Sequence, residues 1–99
     1  MSLRRRRRRA PDTGWIWRQM GAAQVTAGRL DEAERSLDRA VALLPADFWP
    51  HKHLSDAHER AGRLECALAE ARVALDLGWF QRPVMLGERV VWLERACRR

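Results

Sequence analysis

Apolar positions along this chain recur at helical spacing, three and four residues apart, and no stretch shows the strict alternation of a half-buried strand. A first helix is expected over about 14–27, with Trp17, Met20, Gly21 and Gln24 on its inner stripe. Asp12 or Thr13 is placed to cap its start, and Gly28 to end it in the left-handed conformation. A second helix over 31–44 carries Asp31 and Glu32 in its first turn, where the helix dipole favours them, and Pro45 just past its end. Its buried face is Leu30, Ala33, Leu37, Ala40 and Leu43. The third, over 48–61, has Asp47 as its cap, Pro50 in the first turn and Gly62 at its end. A fourth, over 64–77, shows a broad face of Leu64, Ala67, Leu68, Ala71, Ala74, Leu75 and Leu77. Its small residues let helix axes approach closely. After a hinge at 79–82 containing Trp79 and Phe80, Pro83 opens a fifth helix to about residue 98, striped by Leu86, Val90, Leu93 and Cys97 and widened by Met85 and Trp92.

The helices are related by a repeat of 34 residues. Ala27-Gly28-Arg29-Leu30 recurs unchanged as Ala61-Gly62-Arg63-Leu64. Trp15, Ala23, Ala33, Ala40 and Leu43 fall opposite Trp49, Ala57, Ala67, Ala74 and Leu77. A fixed period of this length indicates stacked helix pairs, each burying its apolar face against its neighbours. The expected architecture is all-α: a tail at 1–11, then a helical domain at 12–99 with units at 14–47 and 48–81 and a capping helix at 83–98.

The residues resemble the tetratricopeptide repeat, whose signature is W-x2-L-G-x2-Y, a Gly-containing turn, A-x3-F, a further Ala and a closing Pro. The first unit matches with Trp17, Met20, Gly21, Gln24, Gly28, Ala33, Leu37, Ala40 and Pro45. The second keeps register with an altered core: His51, Leu54, Ser55, His58, Gly62, Ala67, Ala71, Ala74 and Trp79. The resemblance implies a right-handed solenoid segment and a non-catalytic, cytoplasmic adaptor that binds a peptide or partner segment in the concave groove lined by the first helix of each pair. On helix one that face carries Trp15, Arg18, Gln19, Ala22, Val25 and Thr26, and on helix three Trp49, Lys52, His53, Asp56, Glu59 and Arg60. Trp15 with Trp49, and Arg18 with Lys52, recur in register as an aromatic beside a cation, suited to a segment bearing a carboxylate and an apolar side chain. Local packing as helix-start staples is the other reading of the two tryptophans. Some family members clamp a C-terminal carboxylate with Lys and Asn; here Ala22 and His53 stand where the clamp has Asn, which argues against that mode.

Charge changes the picture only at the N-terminus. The net charge of +6 is carried by Arg4, Arg5, Arg6, Arg7, Arg8 and Arg9, and the rest has 13 basic and 13 acidic residues. This run is expected to be disordered, and it offers a second function, attachment to nucleic acid or an acidic surface by phosphate neutralisation. A third is self-assembly through Trp79, Phe80 and Trp92 as a homodimer, with packing beneath the fifth helix as the other reading of the same residues. No apolar run approaches the roughly 18 residues of a membrane span. Cys66 and Cys97 have neither metal nor redox spacing and read as small buried side chains. His51 and His58 lie about 10 Å apart along one stripe, too far to share a metal ion, and are expected as core histidines with polar partners. His53 faces the groove. No phosphate loop or nucleophile motif is present, so neither catalysis nor a cofactor is expected.

Overall fold

The computed structural model describes residues 13–78 and 83–98, with side chains in the last helix from Glu88 onward. The described residues form helices only: α1 Thr13–Thr26, α2 Leu30–Leu43, α3 Trp49–Arg60, α4 Leu64–Gly78 and α5 Pro83–Cys97. Each expected helix is present with its ends within one residue. None is long and apolar enough to cross a membrane.

The repeated Ala-Gly-Arg-Leu is a helix stop followed by a helix start. Gly28 and Gly62 take φ of 82° and 84°, a conformation closed to most other residues. At the first stop the Gly28 N–H donates to Val25 O and the Arg29 N–H to Gln24 O; at the second, Gly62 donates to Glu59 O and Arg63 to His58 O. This doubled pair of bonds satisfies carbonyls that a helix end leaves bare. Asp47 caps α3 as expected, its Oδ1 accepting from the Trp49 N–H at 3.1 Å. Asp12 lies outside the described residues, and Thr13 is already the first residue of α1.

Neighbouring helices pack through small side chains. A Cβ on Gly21 would stand 2.5 Å from Leu37, so α1 and α2 approach closer than any larger residue would permit. In the second unit Ser55 takes the place of Gly21, and its hydroxyl donates to Ala67 O of α4 at 2.8 Å. Val25, Ala33, Leu37, Leu54 and Ala57 join α1, α2 and α3 in one core cluster. Ala67, Ala71, Val90 and Leu93 join α4 to α5. Phe48 packs against Ala74 and the Gly78 backbone.

Several expected positions differ. Val25, assigned to the groove, borders it but is itself buried, because α3 crosses α1 there and brings Leu54 and Ala57 against it. Met20 and Leu43 are exposed, while Ser36 is buried and donates to Gln24 Oε1 at 2.7 Å. Trp92 is 52% exposed and does not pack beneath α5, whose buried stripe is Val90 and Leu93. Cys66 is exposed and Cys97 half-buried, because the first turn of α4 and the last turn of α5 flank an open cleft. Met85, Leu86, Trp79 and Phe80 belong to the expectations that lie outside the described side chains.

Leu93→Ala should therefore lower unfolding free energy by about 2–5 kcal/mol, as for a fully buried leucine, and Trp92→Ala by less than about 1 kcal/mol. Urea denaturation of the two variants compares them directly.

Candidate functional site

The face shared by α1 and α3 holds a cleft of about 410 Å³ lined by Ala22, Val25 and Thr26 on one side and Lys52, His53, Asp56, Glu59 and Arg60 on the other. Ala22, Lys52, His53, Asp56 and Glu59 are thus brought together as expected. Trp15, Arg18, Gln19 and Trp49 lie outside this cleft, nearer the start of the two helices. Trp15 is exposed, as is Gln19. Trp49 is half-buried: its ring lies 4.6 Å from Phe48 and stacks on His53 at 6.0 Å. It therefore packs in part as a staple at the start of α3, with the rest of its ring exposed.

The cations of this face are mostly occupied. Arg18 pairs with Asp47, which ties α1 to the turn before α3. Lys52 pairs with Asp56 at 3.0 Å, one helical turn away. Arg60 reaches across to the Val25 carbonyl at 2.7 Å and locks the far ends of α1 and α3 together. The residue that sequence reasoning missed is Arg89 of α5, which pairs with Asp56 and Glu59 at 2.6 Å each and donates to the Ser55 hydroxyl at 3.2 Å. A signal for it existed. Positions 21, 55 and 89 are equivalent under the period and read Gly, Ser and Arg, so the third unit carries a long cation where the first two need a small side chain.

His53 sits within this charged lining. Burial pushes its imidazole below the ordinary histidine value, Lys52 and Arg18 add to the shift, and Asp56 and Asp47 oppose it. The other histidines face away from the groove. His51 Nδ1 lies 2.7 Å from Glu70 Oε1, and buried His58 accepts from Arg63 at Nδ1 and stands 3.9 Å from Glu34. Each has the polar partner expected of it. No three ligating side chains gather among the described residues. Arg4 to Arg9 lie outside the described residues.

Residues 14–57 match the family model for the tetratricopeptide repeat. That segment is similar to the tetratricopeptide repeat. The match covers α1, α2 and most of α3, and the 34-residue register carries the same helix pairing through α4. Tetratricopeptide repeats generally mediate protein–protein interaction and are typically non-catalytic. No curated protein matches this sequence closely enough to be called a relative.

Since folding lowers the His53 value, the unfolded chain binds more protons at mildly acidic pH. Its contribution to stability is complete above the unfolded value of about 6.5 and is lost as pH falls below it. NMR titration should place the His53 midpoint under 6.5, and Lys52→Gln should move it upward. A midpoint at or above 6.5 in the intact chain would contradict this electrostatic assignment.

Proposed function

We propose that this chain is a protein-interaction module that holds a partner segment along the groove between α1 and α3. The observation that supports this reading is the cleft itself, in which side chains predicted to face a ligand converge from two helices of the repeat. Exposed Trp15 and the Trp49–His53 stack offer apolar and aromatic surface at one end. Aromatic and arginine side chains are the usual anchors of such contacts.

Charge favours an acidic ligand. Arg60 has no carboxylate partner among the described residues, and Lys52 shares Asp56 with Arg89. A carboxylate entering the cleft meets Lys52 and Arg60 without having to break the Arg89 pairs. The segment that fits carries a carboxylate and, several residues away, an apolar side chain for the tryptophans. Gln19 and Ala22 lie between these ends and leave space for the backbone.

A panel of short acidic peptides containing Leu or Phe should reveal binders by fluorescence anisotropy. Lys52→Glu should weaken a binder at least tenfold, about 1.4 kcal/mol, while the far-ultraviolet spectrum stays unchanged. Equal affinity in the variant would remove the groove as the site.

A further inference from the structure

The second unit shows what the outer side of the first unit lacks. Under the 34-residue period Trp17, Met20 and Gln24 of α1 are equivalent to His51, Leu54 and His58 of α3. In the second unit α2 covers that stripe. Leu37 and Val41 pack in the cluster that contains Leu54, and Glu34 reaches His58 and, at 3.3 Å, Arg63. Leu54 is consequently 2% exposed, whereas Met20 is 41% exposed. No described helix lies over the stripe of the first unit. An open cleft of about 340 Å³ remains there, lined by Trp17, Met20 and Gln24 of α1 and Glu32, Arg35 and Arg39 of α2.

We infer that this cleft is a docking site for an acidic amphipathic helix supplied by a partner protein. The shape of the occupant follows from α2, which fills the equivalent position with apolar residues four apart, Leu37 and Val41, and with Glu34 and Asp38 beside them. Its charge follows from the cleft. The Arg39 guanidinium lies 5.0 Å over the Trp17 ring, and neither Arg35 nor Arg39 has an ion pair among the described residues. Glu32, the single acid of the lining, is turned toward Arg29 at 3.5 Å. Carboxylates on an incoming helix would pair with both arginines as Glu34 pairs with Arg63. A second copy of this chain fits less well, because the helix that carries the required pattern, α2, is already covered by α3 in every copy. The site lies on the other side of α1 from the α1/α3 groove, so the two surfaces accept partners independently.

A peptide with the sequence of residues 30–44, acetylated and amidated, is the direct probe, with four acidic and two basic side chains. Labelled with fluorescein, it should bind the full chain saturably in an anisotropy titration. Met20→Glu and Arg39→Glu should each weaken it at least tenfold, and Lys52→Glu should leave it unchanged. A peptide with lysine at the positions of Glu34 and Asp38 should not bind. Met20 and Arg39 are exposed, so both variants should keep the thermal midpoint of the parent. Absence of saturable binding, or binding lost with Lys52→Glu and kept with Met20→Glu, would overturn the inference. A dimer of the unliganded chain that Met20→Glu dissociates would also overturn it, assigning the cleft to a second copy.

Discussion

Close approach of helices at small side chains is the constraint on which this molecule depends. Gly21 against Leu37, Ser55 against the Ala67 carbonyl, and Ala71 and Ala74 along α4 bring each pair into near backbone contact. Close-packed pairs leave little lateral freedom, so the spacing of the next pair is set by the first. The groove between α1 and α3 is a product of that spacing. Its two walls belong to successive units and never touch through a shared turn, yet Arg60 on Val25 O and Arg18 on Asp47 hold them at fixed separation.

Polar contacts then sort the faces. On the groove side, Arg18 of α1 pairs with Asp47 in the turn before α3, Lys52 pairs with Asp56 within α3, and Arg89 of α5 pairs with Asp56 and Glu59 of α3. Partly exposed pairs of this kind add little stability singly, and their main effect is to orient side chains. On the opposite side, Glu34, Glu70 and Asp38 gather against His51, His58 and Arg63. Asp38 is held above its ordinary value there, first by loss of surrounding water and then by Glu34 and Glu70, while His58 opposes the shift. Glu34 of α2 thus meets His58 and Arg63 of the second unit across the seam between repeats.

The first and second units use equivalent positions differently because only one of them is enclosed. His51 and His58 are supplied with carboxylates or a guanidinium by the helices around them. Trp17 has instead a cation from its own unit, Arg39. Arg89 ends the series in a different manner. Standing where Gly21 and Ser55 make room for a following helix, it turns back over α3 and closes the carboxylates of the groove.

Helix positions, the two glycine stops and the pairing of units were legible in the sequence because they depend on local rules: left-handed φ at Gly28 and Gly62, capping by Asp47, and apolar residues three and four apart. The resemblance to the tetratricopeptide repeat was legible for the same reason, since that signature is a list of such local requirements at fixed offsets. The chemistry of the surfaces was not. Val25 and Thr26 both border the groove, and only the crossing of α3 decides that the first is also buried in the core while the second stays exposed. Cys66, Trp92 and Met20 have core-like identities but stand exposed, since burial depends on whether a second element covers a stripe. The groove-facing positions of Arg18, Lys52 and Arg60 follow from helical periodicity, while their engagement with Asp47, Asp56 and the Val25 carbonyl required the folded arrangement. Sequence by itself determined where the backbone turns and which faces are apolar, because those follow from steric and hydrogen-bonding limits within a few residues. Tertiary structure decided which of those faces remain open and which charges remain unpaired, because both depend on contacts between residues about 30 apart in the chain, such as Arg18 with Asp47 and Arg89 with Glu59.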